Sequence, residues 1–437
     1  MRIAIITAGA AGMFCGSCMR DNTLATALIA LGHDALLIPT YTPITTDEVD
    51  ATVGGRVHFG GVNVFLQQSK FTSWLFRRTP RFVDAAFNNL AFLRWVGRFA
   101  GGADYGKLGG LTISMLRGTE GNQRKEVAKL VGWLKAEVRP EIVLISNALL
   151  SGIVPTLSRE LNVPILTTLQ GDDIFLEQLS AKDRERAIGH IRANHRFTAG
   201  YICTSIAYAD FMSGYLAIDR ANMHVVYPGI STKGHAEPAL RPTDRPPAIG
   251  FFARLAPEKG FHNLVDAFIH LRTVLKVPGV KLKYAGWLGK QSEAYHRAQR
   301  AKLDAAGLAD DTEWVMAPDL ASKSRFYRSI DVLSVPTDYR EPKGLYVLEA
   351  MAHGVPVVQP AHGSFPELIA RTGGGMLVPP NDIPALAGAL ATMLADHTMR
   401  EAMGRAGYDG VKRSHEARHM AEETVAVLEK YLPGGRA

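Results

Sequence analysis

Glu341 and Glu349 stand eight positions apart in the stretch Tyr339-Arg340-Glu341-Pro342-Lys343-Gly344-Leu345-Tyr346-Val347-Leu348-Glu349-Ala350-Met351-Ala352. The stretch follows an apolar run, Asp331-Val332-Leu333-Ser334-Val335-Pro336, that reads as a buried strand stopped by proline. Glu341 falls in a Pro/Gly turn whose backbone amides are expected to be free. Glu349 falls in the first turn of a helix expected from Leu345 to Ala352, before the Gly354 stop. Carboxylates and loop amides at the carboxyl end of a strand suit the hydroxyls of a sugar or a ribose. The competing reading is one glutamate capping the helix and the other solvated. Arg254 and Lys259 lie five apart across a loop containing Pro257, between a strand and a helix start. Two cations so placed suit a diphosphate; taken alone, they read equally as solvated surface charges.

These residues need strands and helices to aim them. At the N-terminus, strand 2–6 runs into the glycine-rich Ala8-Gly9-Ala10-Ala11-Gly12-Met13-Phe14-Cys15-Gly16, then a helix to Leu31 and a second strand at 35–39. Strand, glycine loop, helix and strand form a βαβ opening and predict a parallel sheet. The loop glycines, Gly16 among them, let N–H groups approach a phosphate at a helix N-terminus. The spacing does not match G-x-G-x-x-G, and no acid ends the second strand, so a dinucleotide site is not supported. Cys15 and Cys18 have C-x-x-C spacing, but no second pair completes a zinc site. Either they are small residues packed against a ligand, or a helix N-terminus lowers their pKa for redox work. Asn147 and the run Gln170-Gly171-Asp172-Asp173 follow later strands and fall on the same carboxyl edge.

From about 52 to 122 the alternation is lost, and aromatic and basic residues crowd together, from Trp74 to Phe99. Two readings stay open: a helix whose apolar face packs on the first domain, or a segment touching an anionic membrane surface or a lipid-linked substrate. Gly109-Gly110 reads as a loop. The chain has 437 residues, 47% apolar and 21% charged, which suits two domains of a soluble globular protein. No apolar run is long enough to span a bilayer, and the first strand is too short for a signal peptide, so a cytoplasmic protein is expected. Net charge of +7 favours phosphate-bearing ligands or an anionic membrane face, and is too modest and dispersed for nucleic acid. Three cysteines give no disulfide framework.

Residues 231–247 are rich in Pro, Arg and Thr and read as a linker. After it the α/β pattern restarts, with strands expected at 248–253, 280–286, 312–316, 331–336, 355–359 and 375–378. The chain therefore reads as two doubly wound α/β halves.

The second half resembles the retaining, nucleotide-sugar-dependent glycosyltransferases of the GT-B fold, family 4 type. The resemblance rests on Arg254-Leu255-Ala256-Pro257-Glu258-Lys259-Gly260, Gly286, 331–336, Glu341 through Glu349, Gly354-Val355-Pro356-Val357-Val358 and Gly363 to Glu367, in order and at family spacing. The first half matches more loosely, through Gly9 to Gly16, Gly32-His33 and Thr168-Leu169-Gln170-Gly171-Asp172. It implies two Rossmann-like domains facing a central cleft. Their expected bounds are an acceptor-side domain at 1–230 carrying the aromatic/basic insert, the linker, a donor domain at 248–410, and a C-terminal helix at 411–437 returning to the first domain. It implies that Arg254 and Lys259 hold a donor diphosphate. Glu341, with the amides near Lys343, Gly344 and Leu345, would bind the donor sugar, Glu349 the ribose, and the loop near Gly16 would close on the phosphates. Asn147 and Gln170 stand where the family usually carries histidines. With Asp172 they become candidates for acceptor or sugar contacts, able to hydrogen-bond but not to act as bases. Lys343 replaces the usual apolar residue. The donor is expected to be a UDP- or GDP-sugar, the acceptor a carbohydrate, small molecule or lipid-linked compound, and no metal or other cofactor is expected. A donor-binding relative with weak or lost catalysis, or a nucleotide-sugar epimerase, is the alternative.

Overall fold

The computed structural model describes residues 1–9, 15–40, 44, 50–52, 109–233 and 245–433. Most of the aromatic and basic segment and most of the linker lie outside the described residues, and the readings made for them lie there too. The chain divides into two compact units. One comprises Met1–Tyr227 with Met420–Ala437, and the other is Pro228–His419.

In the first unit, strands β1 (Arg2–Thr7), β2 (Asp34–Pro39), β3 (Ile142–Ile145), β4 (Ile165–Leu169), β5 (Gly200–Cys203) and β6 (Met223–Val225) form a parallel sheet in the order β2-β1-β3-β4-β5-β6. β1, β3, β4 and β5 are almost wholly buried from end to end, as strands covered by helices on both faces must be. The helices are α1 (Gly16–Ala30), α2 (Gly109–Leu116), α3 (Arg124–Trp133), α4 (Val154–Leu161), α5 (Asp172–Glu177), α6 (Ala181–His195) and α7 (Ile206–Leu216). Ala4, Ile6, Val143 and Ile145 pack against the α3 residues Val127, Leu130 and Val131. Tyr201 and Cys203 pack with Ala187 and Ile191 of α6 and Met212 of α7. One expectation is corrected. Gly109-Gly110 is not a loop but opens α2, where a Cβ on Gly109 would fall 2.2 Å from the Asp183 carboxylate. Helices α5 and α7 were not expected; α7 is apolar nearly all round and lacks the one-sided periodicity that announces a surface helix. Near the C-terminus, the Tyr431 hydroxyl reaches His224 Nε2 at 2.7 Å, beside β6.

The second unit repeats the plan. Strands β7 (Ala248–Phe252), β8 (Lys281–Ala285), β9 (Thr312–Trp314), β10 (Val332–Leu333), β11 (Val357–Pro360) and β12 (Gly375–Val378) form a parallel sheet ordered β12-β11-β10-β7-β8-β9. Helices α8 (Phe261–Thr273), α9 (Glu293–Ala305), α10 (Leu320–Arg328), α11 (Leu345–Ala352), α12 (Phe365–Thr372), α13 (Ile383–Ala395), α14 (His397–Ser414) and α15 (Ala417–Glu429) complete the order, the last passing into the first unit. Phe251, Phe261, Phe268, Tyr327 and Phe365 are fully buried in its core. In both sheets the winding reverses next to the first strand, between β1 and β3 and between β7 and β10. At such reversals the loops leaving adjacent strands diverge and open a ligand crevice. Two doubly wound Rossmann-like units are the fold class expected for a GT-B protein.

Candidate donor and acceptor sites

The loops after β7 and β10 flank the reversal in the second unit. They approach backbone to backbone at Gly260. Its φ is +71°, and a Cβ there would lie 1.7 Å from the Pro336 carbonyl oxygen. No other residue fits that position. Gly260 also precedes α8, and Gly344, φ +64°, precedes α11; neither helix receives a side-chain cap. Two helix N-termini, each carrying partial positive charge, therefore border the loops that carry Lys259 and Glu341. The loop after β11 joins them, for Ser364 N donates to the Glu341 carbonyl at 2.8 Å.

Glu341 is the centre of this site and is 3% exposed. Its Oε2 accepts from Lys259 Nζ at 2.8 Å, from Tyr339 OH at 2.6 Å and from Tyr346 OH at 3.0 Å. Its Oε1 accepts from the amides of Lys343 and Gly344, each at 3.2 Å. Burial alone would raise this carboxyl's pKa. The charge and hydrogen bond of Lys259, the Tyr339 hydroxyl and the charge of Lys343 outweigh it and hold the group well below the usual carboxylate range. Burial and the Glu341 charge push the Tyr339 and Tyr346 phenols up, so both remain donors. Lys259 also hydrogen-bonds Tyr339 OH, and its ammonium lies 4.8 Å from the centre of that ring. Arg254 is paired with Glu258 at 2.6 Å, half-exposed.

The free amides expected in this turn are therefore corrected: those of Lys343 and Gly344 are occupied by the side chain of Glu341 itself. Glu349 is corrected too. It sits in the second turn of α11, not the first, and is 9% exposed. Its carboxylate accepts from Lys323 Nζ at 2.8 Å and Tyr327 OH at 2.9 Å, both on α10. Sequence reasoning gave no role to Tyr339, Tyr346, Lys323 or Tyr327. The available signal was the i, i+4 spacing of Lys323 and Tyr327, which puts both on one helix face.

In the first unit, Gly16 opens α1 behind β1, and Asn147 and Gln170 leave β3 and β4. Gln170 Nε2 donates to Asp21 Oδ1 at 3.2 Å and to the Ser146 carbonyl at 2.8 Å, so Gln170 ties the end of β4 to α1 and to the end of β3. Asn147 is half-buried. The Asp172 carboxylate faces the Ala148 and Gln170 amides at 2.6 and 2.9 Å, which makes it a brace for the two loops. Cys18 is buried, and a hydrogen bond with Cys15 and then burial push its thiol well above the usual value.

Residues 235–410 match the family model described as "Glycosyl transferases group 1". The D-inositol 3-phosphate glycosyltransferase of Jonesia denitrificans is 27% identical over 331 residues, covering 71% of this chain and 75% of that protein. The phosphatidyl-myo-inositol mannosyltransferase of Mycobacterium leprae is 31% identical over 183 residues, 41% of this chain and 45% of that one. This chain is a glycosyltransferase. Among solved structures, sucrose-phosphate synthase from Thermosynechococcus elongatus superposes with a TM-score of 0.69 at 20% identity, over 98% of each chain. Anabaena Alr3699/HepE in complex with UDP and glucose does so with 0.68 at 15% identity, over 98% of this chain and all of that one. These likenesses carry the GT-B fold. Among the described residues, no helix is long and apolar enough to cross a membrane.

Proposed function

We propose that this glycosyltransferase moves a sugar from a nucleoside diphosphate sugar, UDP- or GDP-linked, to an acceptor hydroxyl with retention at the anomeric carbon, as family 4 enzymes do. The observation that carries the reading is the buried Lys259–Glu341 pair between two uncapped helix N-termini, with Arg254 on the same loop. The partial charges of the helix ends, Lys259 and Arg254 favour a diphosphate. In support of the donor class, a structural neighbour was crystallised with UDP-glucose.

In the proposed reaction the bond from the anomeric carbon to the diphosphate oxygen breaks on the face where the acceptor oxygen bonds. The departing diphosphate takes the acceptor proton, so no side-chain base is needed, in keeping with Asn147 and Gln170. Arg254 and Lys259, with Lys343, stabilise the negative charge that builds on the leaving group without a metal ion. Glu341 fixes Lys259 and the turn amides, and its negative charge favours the developing positive charge on the sugar ring. Glu349 binds the ribose, Gly16 and Leu345 contribute donor contacts through their backbones, and the acceptor sits by Asn147 and Gln170. The acceptor is a carbohydrate, small-molecule or lipid-linked hydroxyl compound, met in the cytoplasm or at a membrane face.

The test is turnover of Arg254→Ala and Lys259→Ala with a panel of UDP- and GDP-sugars, the product anomer being read by NMR with and without EDTA. Losses of at least a hundredfold with the fold intact are expected. Near wild-type rates, an inverted product or EDTA inhibition would refute the corresponding part of the proposal.

A further inference from the structure

Arg20, in the second turn of α1, is 1% exposed, among the largest fully buried side chains of the chain. Its Nη1 donates to Asp21 Oδ1 at 3.4 Å, a long contact to a neighbour in sequence. Its Nε and Nη2 have no hydrogen-bond partner among the described residues. These two nitrogens are the parallel donors of the guanidinium fork, the edge that grips a carboxylate or phosphate through two hydrogen bonds. A buried charge with its best edge empty is costly, and folds retain it where a ligand completes it.

The surroundings favour an oxyanion. α1 has no acidic residue in its first turn and no side-chain cap from Cys15, so the partial positive charge of its N-terminus favours an anion on the same side as Arg20. Asp21 meets Arg20 through one nitrogen only and also accepts from Gln170 Nε2, which fixes the carboxylate without occupying the other two guanidinium nitrogens. Asn147 Oδ1 and Ser146 Oγ, at the end of the adjoining β3, are also buried and lack partners among the described residues. They offer hydrogen-bond positions for a hydroxylated ligand beside the oxyanion.

We infer that Arg20 is the oxyanion receptor of the acceptor, which carries a carboxylate or phosphate near its reacting hydroxyl, with Asp21 and Gln170 holding the guanidinium edge in place. This rests on the reading of the first unit as the acceptor side.

Inorganic phosphate serves as the probe, with the enzyme saturated by UDP so that the donor loops are occupied. Phosphate, against chloride at equal ionic strength, is expected to slow amide exchange in peptides covering 15–22 and 145–148. Arg20→Met should weaken phosphate binding at least tenfold with UDP binding unchanged, and Arg20→Lys should recover part of it. Absence of protection at 15–22, or wild-type phosphate affinity in Arg20→Met, overturns the inference. Phosphate binding that UDP abolishes also overturns it, since Arg20 would then hold donor phosphate. If Arg20→Met does not fold, the exchange pattern of the wild-type protein decides. Failure of UDP and GDP to bind the wild-type protein would sink the donor reading separately, while the phosphate measurement without nucleotide still tests Arg20.

Discussion

Lys259 Nζ lies 2.8 Å from Glu341 Oε2, with 14% and 4% of the two side chains exposed, and links the loops after β7 and β10 into one unit. Removing either partner leaves a buried charge. Lys259→Met should cost about 3 kcal/mol of stability, as breaking buried pairs generally does, with turnover falling by orders of magnitude. Lys259→Met/Glu341→Gln should recover most of the stability and none of the activity. Urea unfolding and initial rates on the four proteins of this cycle check it. Activity returning with stability would show that the pair is architectural only.

Glu349 and Lys323 form a second buried pair, at 2.8 Å between α11 and α10. Lys323→Met leaves the Glu349 charge with Tyr327 alone among the partners described above, and should destabilise by about 3 kcal/mol. Glu349→Gln keeps the shape and the Tyr327 contact, so its stability loss should be smaller. If Glu349 binds the ribose, this variant should raise the donor KM about tenfold with kcat little changed, the pattern of a lost uniform binding interaction. An unchanged KM would assign Glu349 to bracing the helix pair alone.

Gly260 and Gly307 both have left-handed backbone, φ +71° and +69°, but differ in surroundings. A Cβ at Gly307 meets nothing within 4 Å, whereas at Gly260 it meets the Pro336 carbonyl oxygen at 1.7 Å. Gly307→Ala should therefore cost about 1 kcal/mol, the backbone strain alone. Gly260→Ala adds a clash that the two loops must relieve by parting, about 3 kcal/mol together. That movement also displaces Lys259, so only Gly260→Ala should lose activity. Thermal unfolding and turnover of both variants separate strain from displacement.

The contrast between these glycines marks how far the sequence could be read. The helix expected from Leu345 to Ala352 has those bounds in the structure, because an apolar face and a glycine at each end define it locally. The two α/β patterns were legible for the same reason. The partners of Glu341 and Glu349 were not. Tyr339 and Tyr346 lie in the very stretch singled out, yet which carboxylate they serve depends on how the turn folds over. Lys323 comes from a helix 26 residues upstream of Glu349, and only tertiary packing brings them together. Free amides were expected in the Pro/Gly turn because a sequence cannot reveal that a side chain will curl back to occupy them. Arg20 shows the same limit: its type was visible, its complete burial was not.

His415 gives a pH dependence of stability with a defined sign. It is fully buried; its Nδ1 lies 3.0 Å from the Pro228 carbonyl oxygen, and Arg371 Nε lies 3.3 Å from its Nε2. Burial, opposed by the Pro228 hydrogen bond and reinforced by the positive charges of Arg371, His419 and Arg413, lowers its pKa to about 4. An unfolded histidine titrates near 6.5. Between these values the unfolded chain binds a proton that the folded protein refuses. The stability contribution is therefore intact above pH 6.5 and is lost progressively as pH falls to about 4. The full loss amounts to about 3 kcal/mol. His415→Gln retains an amide that can donate to Pro228 and has no proton to gain, so its stability should be lower at pH 7.5 but flatter across this window. Urea unfolding of both proteins at several pH values from 7.5 to 4.5 is the measurement. Parallel curves would mean that other groups carry the acid sensitivity. Glu341, with its lowered pKa, contributes separately. Its stabilisation is present above the unfolded carboxyl value of about 4.3 and declines only as pH falls below that. Glu341→Gln should thus leave the upper window unchanged and flatten the curve below it.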